Sequence, residues 1–308
     1  MAWLQNTLGE GVISVLSHLS FLGEEYLLFA LITFLYFGQD KQYGIAVART
    51  VLLSTVLSAM VKNVFIRRRP YFDNPEIKVY RPVEASADLY DIQAQGFSFP
   101  SGHSTNGLAA YGAVARYPFA EGKGSMSDKC RRILVWIAVL IPLLIGFSRV
   151  IVGVHYPTDI LFGWAFGLGM VFVVPFLHAR LGNTEFAVAT LLISAAGIFF
   201  CHSNDYFSSL GLLIGYNIAI PFEAKFVNFS ETKNPLLIVA RIAGAGGFFA
   251  GLNALLKLPF SADFLGNGSL AAHLVRTGRY AIVIFIVMGL YPMLFKAIGR
   301  VFRKNIKE

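Results

Sequence analysis

Long apolar runs parted by short polar breaks set the pattern of this chain. A helix needs about 20 mostly apolar residues to cross the hydrocarbon core of a bilayer, and candidate spans fall near residues 19–38, 43–66, 102–119, 132–152, 156–178, 185–202, 207–222, 235–256 and 279–299. Several of these are short, so eight or nine crossings are expected. Residues 3–18 read better as an amphipathic helix lying at the interface. No basic stretch precedes them, so a cleavable secretory signal is not expected. The pattern predicts an all-α, polytopic membrane helix bundle with no internal repeat.

Composition agrees. The chain is 56% hydrophobic and 14% charged, with a mean hydropathy of +0.60, whereas a soluble domain would carry about 25% charged residues. A net charge of +8 suits nucleic acid in a polar chain, but in one this apolar it reflects basic residues at cytoplasmic helix ends. Nucleic acid is therefore not an expected partner; the bilayer is. Running the spans in order puts Lys41, Lys123, Lys129, Arg131, Arg132, Arg180, Lys225, Lys233, Arg300, Arg303, Lys304 and Lys307 on one face, expected to be cytoplasmic. The segments 67–101 and 257–278 and the turn after Arg149 then face the periplasm, extracellular space or lumen, although Arg67, Arg68, Arg69, Lys78 and Arg81 on that side dilute the bias. Cys130 and Cys201 fall on opposite faces and are not expected to pair.

Three short blocks carry chemistry: Lys62 with Arg69-Pro70, then Pro100-Ser101-Gly102-His103, then Ser148-Arg149 with His155 and Asp159. A phosphate ester resists hydrolysis because its oxygens repel a nucleophile, so a catalyst must neutralise charge spread over them in the transition state. Lys62, Arg69 and Arg149 supply fixed cations, the arginines with two parallel donors each. Lys62 taken alone reads better as a lysine snorkelling from a helix end; its spacing to Arg69-Pro70 reverses that in favour of the phosphate reading. Ser101 and Gly102 open an apolar helix, where free N–H groups and the dipole attract an anion and the missing side chain lets it approach. His103 is placed to donate a proton to a leaving oxygen. His155 precedes a helix with Pro157 at its first position and Asp159 in its first turn. Asp159 is expected to accept a hydrogen bond from one ring nitrogen, leaving the other aimed at phosphorus as the nucleophile. Metal binding by His155 and Asp159, with His103, is the competing reading; no further acidic or cysteine ligand is linked to them, and three cations oppose it.

At these blocks the sequence resembles the type 2 phosphatidic acid phosphatase superfamily, over about residues 20–175. The resemblance implies a phosphatase without metal or other cofactor: a phosphohistidine on His155, His103 as general acid, Asp159 orienting His155, and Lys62, Arg69, Ser101, Gly102, His103 and Arg149 around the phosphate. It also implies a six-helix core. The expected organisation is an interfacial helix over 1–20, a phosphatase core over 21–202 and two or three additional transmembrane helices over 203–308. The substrate expected is a lipid phosphate or diphosphate. A soluble ester such as a sugar phosphate, and phosphoryl transfer to an acceptor alcohol, remain as alternatives within the same chemistry; a transporter that binds phosphate would not require His103, His155 and Asp159 together.

Other polar residues lie in apolar surroundings. Glu24 and Glu25 interrupt the first span near the level of Lys62, where a salt bridge to a neighbouring helix is favoured slightly over substrate contact. Arg49 and Arg241 read as structural or lipid-headgroup contacts, and His18, His178, His202 and His273 as interface or packing residues. The polar segment between Pro70 and Pro100 is long for a structureless loop, so a lid or entry element and a plain connector both fit it. Gly163 with Gly167, and Gly247 with Gly251, have the spacing that lets helices approach closely.

Overall fold

The computed structural model describes residues 1–120 and 127–295, and among these it contains helices and no strand. Lys123, Arg300, Arg303, Lys304 and Lys307 of the expected cytoplasmic face, and the last residues of the expected ninth span, lie outside the described residues. The helices are α1 (Ala2–His18), α2 (Glu25–Phe34), α3 (Lys41–Phe65), α4 (Pro70–Asp73), α5 (Ile92–Gln95), α6 (Gly102–Ala120), α7 (Asp128–Ile151), α8 (Pro157–Leu181), α9 (Asn183–Ala195), α10 (Asn204–Phe222), α11 (Pro235–Leu255), α12 (Ala262–Gly266) and α13 (Leu270–Ile284).

Among the described residues six helical stretches are long and apolar enough to cross a membrane: 41–73, 128–151, 157–181, 204–227, 235–255 and 270–295. The bent pair Ala2–Gly23 and Glu25–Gln39, with 45° between its halves, can make a seventh. The chain is thus a multi-pass membrane protein with a helical bundle fold. Two stretches expected to cross fall short by this measure: α6 begins with a polar run from Ser104 to Asn106, and the apolar helix over 183–199 is short. The last span starts at Leu270, nine positions before the expected 279. Its polar residues turn inward, where Thr277 Oγ1 donates to Phe207 O at 2.9 Å, the His273 ring stacks on Phe207 at 4.2 Å and Arg279 Nη2 donates to Asn253 Oδ1 at 2.7 Å. A buried polar group with a partner no longer opposes membrane insertion.

The chain divides into two compact units. Of the described residues, one comprises 1–29, 46–120, 127–186 and 196–203; the other comprises 30–45, 187–195 and 204–295. The residues 30–45 and 187–195, grouped by sequence with the core, cluster with the C-terminal helices.

In the first unit α6 packs closely against α7 and α8. A side chain at Gly167 would place its Cβ 2.5 Å from Thr105 O, and one at Gly163 would meet Ser101 O at 3.0 Å, so the two glycines set how near α8 comes to α6. In the second unit the same device joins α10 to α13, where Gly211 and Gly215 lie against the carbonyls of Thr277 and Ala281. Gly247 and Gly251 on α11, expected to pack, face open space instead. Spacing permits close approach but does not supply the partner.

Candidate active site

Helix α3 ends where Ile66 takes a left-handed conformation, φ 43°, rare for a β-branched residue. Its N–H closes the helix on Lys62 O at 3.1 Å. The chain then runs extended beside 97–98: Ser98 N donates to Arg67 O at 2.8 Å and Ser98 Oγ to Arg68 O at 3.0 Å. Lys62 and Arg69, on either side of this turn, are both buried and face one site. Gly102 lies beside the ammonium: a Cβ there would stand 3.9 Å from Lys62 Nζ.

Arg69 is 2% exposed. Its Nε donates to Gln95 O and Gly96 O at 2.8 and 3.1 Å, Nη1 to Val154 O at 2.9 Å, and Nη2 to Phe97 O at 3.4 Å. The sequence assigned it two donors for phosphate; the structure also uses it to tie the segment before α6 to the turn before α8. Nη1 reaches His155 Nε2 at 3.4 Å. A guanidinium has donors only, so that nitrogen carries the lone pair and the ring proton belongs on Nδ1.

The two blocks that open α6 and α8 meet directly. Ser101 N donates to Asp159 O at 3.2 Å, and the Ser101 hydroxyl accepts from Ser104 Oγ at 3.1 Å. His103 is half-buried in the first turn of α6. Arg149 sits in the last turn of α7, 2% exposed, and its Nε has no hydrogen-bond partner among the described residues. Ser148 turns its hydroxyl to Ile145 O at 2.7 Å, on its own helix.

His155 is 2% exposed and Asp159 fully buried. Burial first, then the charges of Arg69, Arg149 and Lys62, with His103 last, hold the His155 imidazole well below the ordinary histidine range. All the proposed cations are therefore near enough to act on one neutral ring. The expected His155–Asp159 hydrogen bond is not made: Nδ1 stands 3.5 Å from Asp159 Oδ2 and has no hydrogen-bond partner among the described residues. Both carboxylate oxygens already have other donors. Asp159 Oδ2 accepts from Tyr156 N at 2.8 Å, capping α8, and Oδ1 accepts from Arg67 Nη1 at 2.9 Å.

The polar stretch 74–96 is built onto this site. Tyr71, Val152 and Val154 form a buried cluster covered by Phe72, Ile77, Val79, Tyr80 and Leu89. Gly153, φ 86°, leaves room for Lys78 O, which a Cβ would meet at 2.3 Å. Gln5 Nε2 donates to both Lys78 O and Ile151 O, at 2.9 and 2.8 Å. Arg81 makes an ion pair with Glu24 and donates to Ser17 O. Gln95, fully buried, accepts from Val83 N and Glu84 N and donates to Glu84 O and Asp88 O. Arg67 and Gln95 escaped the sequence reading, because no local spacing or periodicity links them to their distant partners.

Donor chemistry matters as much as position. Among the described residues no group of three or more His, Cys, Asp or Glu side chains is placed to hold a metal ion. The site gathers cations, which suits an anion.

Residues 42–182 match the model of the PAP2 superfamily, and residues 207–303 match that of the PAP2 superfamily phosphatase transmembrane extension. The chain is similar to phosphatidylglycerophosphatase B of Bacillus subtilis, 38% identical over 88 residues, which is 27% of this chain and 40% of that protein. It is similar to undecaprenyl-diphosphatase of Sulfolobus acidocaldarius, 29% identical over 157 residues, covering 50% of this chain and 65% of that one. Lipid A 1-phosphatase of Rhizobium etli is 33% identical over 135 residues, 43% of this chain and 49% of its own. The chain spans less than two thirds of each of these relatives. No solved structure matches it significantly.

Proposed function

The chain belongs to the PAP2 superfamily, and from that premise we propose that it is an integral-membrane, metal-independent phosphatase of a lipid phosphate or lipid diphosphate, working through a phosphohistidine on His155. The observation that carries the reading is the buried His155 ring, with Nε2 3.4 Å from Arg69 Nη1 and Nδ1 on the side of Asp159. In this reading residues 21–202 form the catalytic core, 203–308 an added transmembrane part and 1–20 an interfacial helix.

The steps balance with the residues present. Nε2 attacks phosphorus while the bond to the leaving oxygen breaks, and His103 gives that oxygen its proton. Lys62, Arg69, Arg149, the Ser101 hydroxyl and the Gly102 N–H take up the charge on the equatorial oxygens. The bound phosphate itself places negative charge beside His103, which favours its protonated form. Asp159 faces the Nδ1 proton and offsets the positive charge the ring acquires on phosphorylation. Water then gives a proton to His103 and attacks phosphorus; the P–N bond breaks and inorganic phosphate leaves.

A lipid substrate is supported by the surface next to the motifs. Phe65, Phe99, Phe162 and Phe166 follow one another at ring distances of 4.8, 4.7 and 6.1 Å, and Phe65 is 58% exposed, a surface suited to a hydrocarbon chain. The named substrates of the three relatives are all lipids. A non-cytoplasmic site is supported by charge: the site residues occupy the C-terminal ends of α3 and α7 and the N-terminal ends of α6 and α8. Lys129, Arg131, Arg132 and Arg180 cluster at the opposite ends of α7 and α8.

The test is phosphate release by the detergent-purified chain in excess chelator, offered phosphatidic acid, an isoprenyl diphosphate and glucose 6-phosphate, with His155→Ala as blank. Release from a lipid and none from the variant is expected. Release only from glucose 6-phosphate would overturn the lipid reading, and loss of release in chelator would overturn metal independence.

A further inference from the structure

We infer that Arg67, which lies outside the three motif blocks, is a positioning residue that acts on the reaction through Asp159; the inference rests on His155 being the nucleophile. The left-handed turn at Ile66 throws Arg67 away from the end of α3 and toward the start of α8. There Nη1 donates to Asp159 Oδ1 at 2.9 Å and to Thr158 Oγ1 at 2.7 Å, while the guanidinium stacks on the Tyr156 ring at 3.9 Å. The bond from Ser98 N fixes its backbone from the other side. The six residues between Lys62 and Arg69 are thus more than a spacer.

The consequence lies in how Asp159 is held. A carboxylate bound at one oxygen by Tyr156 N can still rotate about that contact. Arg67 binds the other oxygen and so fixes the plane, which leaves Oδ2 facing His155 Nδ1. With Nδ1 holding the ring proton toward Asp159, Nε2 keeps its lone pair for phosphorus. Arg67 reaches the chemistry only along this path: its side chain is 39% exposed and its polar contacts are with α8, not with His155.

The experiment uses the full chain in detergent and the lipid phosphate it hydrolyses best, comparing wild type, Arg67→Gln, Arg67→Lys, Asp159→Asn and the double variant Arg67→Gln with Asp159→Asn. Loss of an orienting partner lowers activity about 10- to 100-fold, so Arg67→Gln should lower kcat by that factor with KM changed less than about threefold. Arg67→Lys should recover part of kcat, since an ammonium keeps the charge without the fork. In the Asp159→Asn background the same change should cost less than about twofold, because residues acting as one unit are non-additive. If Arg67→Gln does not fold, Thr158→Val reads the same split, with kcat expected to fall a few-fold at constant KM. Unchanged kcat, a rise in KM alone, or full additivity with Asp159→Asn would each overturn the inference. Wild-type turnover that survives His155→Ala would overturn the phosphohistidine reading and this inference with it.

Discussion

Replacing Gln95 by leucine tests whether the 74–96 segment is part of the site. The side chains are similar in volume, so packing is retained, while four hydrogen bonds to Val83 N, Glu84 N, Glu84 O and Asp88 O are lost. Each is worth about 0.5–1.5 kcal/mol net, and water can replace partners in a half-buried loop, so the lower part of the sum applies: about 2–3 kcal/mol. At about 1.4 kcal/mol per decade, the opening equilibrium of the segment should shift about 30- to 150-fold. Hydrogen exchange followed by mass spectrometry should show Val83 and Glu84 exchanging faster by that factor, with the helices unchanged. Turnover should fall too, because Gln95 O and Gly96 O anchor Arg69. Gln95→Glu keeps both acceptor bonds but sets a carboxylate against two carbonyls, and should open the segment as well. Exchange within about threefold of wild type, at normal activity, would refute the reasoning.

Burial and the nearby cations keep His155 from taking a proton in the folded chain, while the unfolded chain takes it up near pH 6.5. The His155 contribution to stability should therefore fall as pH drops below about 6.5, by at most about 1.4 kcal/mol per pH unit, until the depressed folded value is reached. His155→Gln should flatten the loss of Tm on acidification; an unchanged slope would contradict this. The Glu24–Arg81 pair is partly exposed and worth at most about 1 kcal/mol. Glu24→Arg should nonetheless lower kcat/KM by repelling the 74–96 segment, and adding Arg81→Glu should restore it; failure of the swap to restore would count against a role for this ion pair in holding the segment. Gly167→Ala should cost about 1–3 kcal/mol, since its methyl would strike Thr105 O. Gly247→Ala, in open space, should be neutral or raise Tm. Equal effects at the two glycines would refute the packing account.

What could be read in advance was local. Lys62 and Arg69, Ser101 to His103, and His155 with Asp159 each lie within a few residues of one another, so spacing alone places them on a helix end or in one turn. Apolar runs likewise announce a membrane bundle. What stayed hidden depends on contacts between distant residues. Arg67 looked like a charge that weakened the topology bias; its partner Asp159 lies 92 positions away. Gln95 resembled any polar loop residue. The glycine pairs 163/167 and 247/251 are identical as spacing, and only the presence of α6 separates them. The polar start of α13 delayed the expected final span because its buried partners on α10 and α11 carry no sequence signal.

The central claim is the phosphohistidine. The most direct measurement incubates the purified chain with a lipid substrate labelled in its phosphate, quenches in alkali, where phosphohistidine survives, and maps the label by mass spectrometry. Label on His155, discharged by acid and absent in His155→Ala, is the predicted result. Label on another residue, or turnover with no labelled protein while His155→Ala stays active, would contradict the account.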